Sequence, residues 1–261
     1  MSTRENYHAG EFNFVDLMSH GLDGAKAFYG DLFGWTAEDQ DTGEAPPYVL
    51  FHQADRAVAG LGEASADMKA HGVPPVWNTY VAVDDVAATV ARVAELGGTV
   101  VMPAMPVAHA GHMAICLDGE GAAFSLWQAG EHIGAEIVNE PGAWCWNELY
   151  THDFRKAEAF YGALFGWTFS EATGVTSDYH VILRQGREIG GLFLMRPDMA
   201  QMPPAWMPYF AVADLDASLA KVWALKGAAH TEAMTVPAGR FVVVNDAQGA
   251  VFTLIELSDA G

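Results

Sequence analysis

Two carboxylates lie inside apolar, strand-like runs: Asp16 in FNFVDLM (Phe12 to Met18) and Glu148 in WCWNELY (Trp144 to Tyr150). They hold equivalent places in two similar stretches of the chain. A carboxylate on an inner face costs free energy unless it is paired, hydrogen-bonded or hydrated. In apolar surroundings its pKa rises, which is what a general base working near neutral pH needs. With Asp16 or Glu148 as base and Tyr80 or Tyr209 as proton donor, the chemistry would be that of a lyase or isomerase. The structural alternative is that each acid bonds a backbone N–H or an arginine such as Arg56 or Arg187.

Other reactive side chains give weaker signals. His20 and His152 are equivalent and each precedes a helix, a place where packing or capping is the ordinary role. His109 and His112 flank Ala110-Gly111, and the spacing H-x-x-H can hold a metal weakly; the second half has Ala238 and Arg240 there. Gly111 and Gly239, each a few residues from a proline, suggest a mobile flap. The two cysteines, Cys116 and Cys145, form no CxxC pair and no disulfide framework. There is no GxSxG, no phosphate-binding GxxxxGK[ST], no GxGxxG after a strand and no HExxH.

The elements that must position these residues occur twice. HGLDGAKAFYGDLFGWT (His20 to Thr36) and HDFRKAEAFYGALFGWT (His152 to Thr168) agree at eleven of 17 positions. Pro74 to Gly98 likewise matches Pro203 to Gly227, and GAAFSLWQ (Gly121 to Gln128) matches GAVFTLIE (Gly249 to Glu256). A repeat of this order covers nearly the whole chain. Within each unit a short apolar strand (Phe12 to Met18) precedes a helix. Leu22, Ala25, Phe28, Tyr29, Leu32 and Phe33 form one buried stripe on it, and Gly34 stops it. Strands follow at Tyr48 to Phe51 and Ala57 to Gly62. The next segment repeats the plan: strand Thr79 to Val83, helix Val86 to Leu96, then strands near Thr99 to Met102, His112 to Leu117 and Ala122 to Gln128. The expected fold is α+β, with two tandem domains, 1–130 and 143–261, joined by a linker at 131–142 rich in Gly and Pro.

The net charge is −20 with 51 % hydrophobic residues. Such a chain repels phosphate backbones and anionic lipid, so nucleic-acid and membrane-surface roles are disfavoured. No apolar run approaches the length of a bilayer span, and Met1 to Gly10 shows no signal-peptide pattern. The expected location is cytoplasmic, and the expected state is monomer or homodimer.

The helix motif AKAFYGDLFGW, its copy AEAFYGALFGW, and the endings DGEGAAFSLWQ and DAQGAVFTLIE resemble the vicinal oxygen chelate superfamily, which includes glyoxalase I, extradiol dioxygenases and bleomycin-resistance proteins. The resemblance implies paired βαβββ modules, each pair closing a half-barrel around a pocket, with helices outside. It also implies where metal-dependent members place ligands. The first-strand position falls on Phe14 and Trp146, the opening of the second module on Asn78 and Met207, and the last strand on Ser125 and Thr253. The fourth falls near Glu63 and Leu194. Aromatic rings, a thioether and hydroxyls make a poor divalent site. No metal and no cofactor are therefore expected.

Strand alternation then lists the lining of the concave faces. One holds Phe14, Asp16, Met18, Asn78, Tyr80, Ser125 and Trp127. The other holds Trp144, Trp146, Glu148, Tyr150, Met207, Tyr209, Thr253 and Ile255. Such aromatic faces suit a flat or partly apolar small molecule held by stacking and a few hydrogen bonds. Three readings stay open: a metal-independent binding protein, an enzyme (a divergent glyoxalase or dioxygenase relative, or a metal-free lyase or isomerase), and a regulatory partner with vestigial pockets.

Overall fold

A computed structural model describes residues 2–43, 46–172 and 177–258. The first half forms one eight-stranded sheet. Its spatial order is Thr36–Gln40, Tyr48–Gln53, Arg56–Glu63, Phe12–Ser19, Val76–Ala82, Ala123–Ala129, Gly111–Leu117 and Thr99–Val107. The opening strands of the two modules, Phe12–Ser19 and Val76–Ala82, pair antiparallel at its centre. Each has the closing strand of its own module as a parallel neighbour on the other side. The two modules therefore pair within one half. The second half repeats the order around Trp144–Thr151 and Ala205–Ala211, with Met234–Val236 added beside Gly239–Asn245.

The expected helix Leu22 to Phe33 forms with those bounds, and Phe154–Phe165 is its copy. Gly34 and Gly166 end them in the left-handed conformation, at φ 77° and 70°, where an L side chain is strained. Asp85, Asp153 and Asp214 cap the helices that follow them.

These helices lie between the two sheets, and each packs against the opposite half. Phe28, Tyr29 and Phe33 meet Phe252, and Phe33 also meets Phe210. In return Phe160, Tyr161 and Phe165 meet Phe124. Tyr29 donates to Asp246 at 3.1 Å, and Tyr161 donates to Asp118 at 3.0 Å. The motif tryptophans complete the seam: Trp35 donates to the Gly142 carbonyl at 2.6 Å and Trp167 to the Gly10 carbonyl at 2.7 Å. The repeated helix motif thus builds the junction between halves and leaves the opposite faces of the sheets for other use.

Three features depart from the sequence reading. Thr36–Gln40 and Thr168–Glu171 are edge strands that were not anticipated, because TAEDQ and TFSE carry no apolar alternation. The segment around His109 is the tip of a long hairpin, Thr99–Val107 against Gly111–Leu117, paired at both ends with register shifts between Val100 and Met105. The stretch read as a linker packs closely. Ile137–Val138 pairs with Ser2–Thr3, and Ala135, Ile137 and Val138 are buried. Among the described residues no helix is long and apolar enough to cross a membrane.

Candidate functional site

Asp16 stands on the central strand of the first sheet and is only 3 % exposed. Three side chains reach it. Asn78 donates to Oδ1 at 2.8 Å, Tyr80 to Oδ2 at 2.8 Å and Tyr48 to Oδ2 at 3.1 Å. The cross-strand register explains the cluster: Asp16 lies opposite Asn78 on one side and Gly60 on the other. Glu148 repeats the arrangement, opposite Met207 and Gly191. Tyr209 donates to Oε1 at 3.0 Å, and the Tyr179 and Tyr150 hydroxyls lie near enough to help hold the carboxyl's charge. Trp146 in turn donates to the Tyr179 hydroxyl at 3.0 Å.

A buried carboxylate flanked by two tyrosines is therefore built twice, from equivalent positions. Tyr48 and Tyr179 are the partners that sequence reasoning missed. Their signal was a glycine inside each neighbouring strand. A Cβ at Gly60 would lie 2.0 Å from the Tyr48 hydroxyl, and one at Gly191 would lie 2.0 Å from that of Tyr179. Glycine leaves the space through which each ring crosses the strand to reach the acid.

Burial sets the electrostatics. Loss of hydration raises the Asp16 pKa, against the opposing hydrogen bonds from Asn78, Tyr80 and Tyr48. The same desolvation lifts Glu148 to about 7, again opposed by its tyrosine donors. The tyrosines Tyr48, Tyr80 and Tyr209 are pushed well above their ordinary value, first by burial and then by the neighbouring acid. They stay protonated and act as donors.

The remaining lining divides. Phe14 and Trp127 pack against His132, whose ring centroid lies 4.8 Å from Phe14 and 5.7 Å from Trp127. The Trp127 ring N–H is used by the His132 carbonyl. Burial lowers His132 to about 4, so its imidazole is neutral, and its Nε2 lacks a hydrogen-bond partner. Ser125 pairs in register with Tyr80 on the neighbouring strand. Thr253 pairs in register with Tyr209 and its hydroxyl is buried without a partner, while Ile255 faces Phe241 across the strands.

Trp144 does not join the second cluster. The register shifts between Trp144 and Trp146, a bulge that reverses the alternation. Its ring N–H instead bonds the Trp146 carbonyl and the Asn147 side chain, on the junction side. Glu63 also stays apart. It lies beside Ser19 on the opposite face from Gly60 and pairs with Lys69 at 2.7 Å. Leu194 lies beside Thr151 in the same way. His112 faces away from Met113 and Trp127 and is exposed. His20 and His152 hold loops, through the Val73 carbonyl at 2.8 Å and the Met202 carbonyl at 3.0 Å. Arg187 is bound to Glu11 and not to Glu148.

The donor set does not fit the divalent metal of metal-dependent superfamily members. Each cluster has one carboxylate, its oxygens are taken by O–H or N–H donors, and no imidazole enters. The tyrosines are held protonated and unsuited to ligation. Among the described residues no group of three or more His, Cys, Asp or Glu converges.

Comparisons with known proteins agree with this architecture. Residues 11–126 match the family model described as the Glyoxalase/Bleomycin resistance protein/Dioxygenase superfamily. CFP32, a glyoxylase by name, from Mycobacterium bovis and Mycobacterium tuberculosis, is 41 % identical over 259 residues, 98 % of each chain. The anthracycline biosynthesis protein DnrV of Streptomyces peucetius is 33 % identical, covering 94 % of this chain and 93 % of its own. Among solved structures, the Mn(II)-bound glyoxalase of Novosphingobium aromaticivorans aligns with a TM-score of 0.64 at 15 % identity, covering 95 % of this chain and 82 % of that one. The 2,3-dioxygenase LapB of Pseudomonas sp. KL28 aligns at 0.63 and 12 %, covering 94 % and 91 %. At such identities the likeness to these two structures is one of fold.

Proposed function

This chain belongs to the glyoxalase/bleomycin resistance protein/dioxygenase superfamily, and from that premise we propose that it is a metal-independent small-molecule-binding protein. The observation that carries this reading is the twice-built carboxyl–tyrosine cluster, Asp16 with Tyr48 and Tyr80, and Glu148 with Tyr179 and Tyr209. The clusters stand on the sheet faces that the family resemblance implies as pocket walls, and they supply directed hydrogen bonds in place of a Lewis acid. Around them the surface is aromatic and thioether-rich: Phe14, Met18, Met113 and Trp127 in the first half, Trp146, Met207 and Phe241 in the second. Methionine side chains rotate at low cost, so a closed rim of this kind can admit a ligand. The occupant we assign is planar and partly apolar, with a carbonyl or hydroxyl edge for the tyrosines. The anthracycline biosynthesis relatives point to the same class, a fused polycyclic aromatic. A cytoplasmic protein acting as monomer or homodimer, its two domains bounded as read from the repeat, completes the proposal.

A second reading rests on Glu148 alone. A carboxyl that titrates near 7 among three tyrosines is poised for proton transfer, which favours a metal-free isomerase or lyase. Titration of chelator-treated protein with a hydroxyanthraquinone, followed by tryptophan fluorescence and product analysis, separates the two. Saturable quenching without turnover supports binding. Turnover lost in Glu148→Gln supports catalysis. Neither quenching nor turnover contradicts both.

A further inference from the structure

A cleft lies at the junction of the halves, away from the Asp16 and Glu148 clusters. It has a volume of about 270 Å³ and opens between the start of the helix Val86–Glu95 and the end of the helix Phe154–Phe165. Its lining includes Gly10, Val83, Leu164 and Phe165 together with the charged side chains of Arg92, Arg184, Asp84 and Asp85. Each guanidinium is anchored by one backbone carbonyl. Arg184 donates from Nε to Ala9 at 3.1 Å, and Arg92 donates to Ala163. Among the described residues neither arginine makes an ion pair, although the chain carries 33 acidic residues against 13 basic ones. Asp85 already spends an oxygen on capping Ala88.

The internal repeat supplies a control. Across the pseudo-twofold axis, Gly142 stands where Gly10 does, both at positive φ of 85° and 84°. Gln53 replaces Arg184 and bonds the Pro141 carbonyl at 3.0 Å. Lys221 replaces Arg92 and bonds the carbonyls of Asp31 and Leu32. Ala213 replaces Asp84. The structural task of these positions, tying a side chain to the junction backbone, is therefore met without arginine. The Arg92–Arg184 pair needs another reason.

We propose that this cleft binds a small carboxylate- or phosphate-bearing molecule, gripped by Arg92 and Arg184 and presenting a hydroxyl or amino donor to Asp84. The free edges of two guanidinium groups match a carboxylate or phosphate in geometry and charge. A cleft of this size holds a metabolite and excludes a macromolecule.

The test is isothermal titration calorimetry of the full chain at low ionic strength with inorganic phosphate, succinate and malate. Saturable binding in the millimolar range or tighter is expected, weakened about tenfold or more by Arg184→Gln. That substitution copies Gln53, so the melting temperature should stay close to that of the parent. Asp84→Ala, copying Ala213, should tighten phosphate binding and abolish any preference for malate over succinate. Absence of saturable heat with all three probes overturns the proposal. So does binding that Arg184→Gln leaves unchanged.

Discussion

Tyr29 of the first half donates its hydroxyl to Asp246 of the second at 3.1 Å, and the ring N–H of Trp77 donates to that same hydroxyl at 3.1 Å. Tyr161, Asp118 and Trp206 repeat the relay in the opposite direction. The motif that marks the superfamily in the sequence is thus a clasp between the halves. It says what the fold is and nothing about the ligand.

Breaking the clasp should therefore lower stability and spare the pockets. Tyr29→Phe leaves the Asp246 carboxyl and the Trp77 ring N–H short of a buried partner, which costs about 1–3 kcal/mol. Tyr161→Phe should cost a similar amount. Denaturant unfolding checks the magnitude, and unchanged ligand quenching checks that the loss is confined to the junction.

The pH dependence of stability should carry the signature of Glu148. Its carboxyl titrates near 7 in the folded state and near 4.5 when unfolded. Between those values the unfolded chain has released the proton and the folded chain retains it, so stability falls as pH rises from about 4.5 to about 7, then levels. Glu148→Gln removes this penalty. Relative to the parent it should gain up to about 3 kcal/mol across that window. A difference between the two proteins that does not change with pH contradicts the assignment.

Gly60 and Gly191 should resist substitution for a reason outside backbone conformation. Gly60→Ala places a methyl 2.0 Å from the Tyr48 hydroxyl. Overpacking of this kind costs about 1–3 kcal/mol, and it should also detach Tyr48 from Asp16. In a double-mutant cycle, Gly60→Ala should add little once Tyr48→Ala has removed the ring.

Much of this architecture was legible in the residues. The stripe from Leu22 to Phe33 and its glycine stop set the helix bounds, and the repeat set the pairing of equivalent positions. Asp16, Tyr80, Glu148 and Tyr209 were reached by strand alternation from the positions that the repeat and the family resemblance imply, and hydrogen bonds join Tyr80 to Asp16 and Tyr209 to Glu148. Alternation failed at Trp144, because one bulged residue moves every side chain before it to the other face and leaves no mark in a run of aromatics. Tyr48 and Tyr179 escaped because a tyrosine in a strand is an ordinary β-former. Only contact with an acid two strands away, reached past the glycine of the intervening strand, gives it a role. His132 lay in a stretch read as linker, and its packing on Phe14 depends on how that segment folds back.

Tyrosine substitutions separate the two clusters. Tyr80→Phe and Tyr209→Phe each delete one hydroxyl while keeping the ring, so folding should change by about 1 kcal/mol. The variant that weakens ligand binding identifies the working concavity. If the first pocket is used, Tyr80→Phe lowers affinity and Tyr209→Phe does not; the reverse assigns the second. Equal binding by both single variants and by the pair would remove the tyrosines from recognition.

The central claim is that ligand binding here needs a carboxyl–tyrosine cluster and no metal. The most direct measurement is titration of a hydroxyanthraquinone into exhaustively chelator-treated protein, monitored by the fluorescence of Trp127 and Trp146 and repeated after adding back Mn(II), Zn(II), Ni(II) and Fe(II) in turn. The predicted result is saturable quenching of the same affinity in every sample, lost when Tyr80→Phe and Tyr209→Phe are combined. Binding that appears only after one ion is restored, with one equivalent retained per chain, would contradict the account.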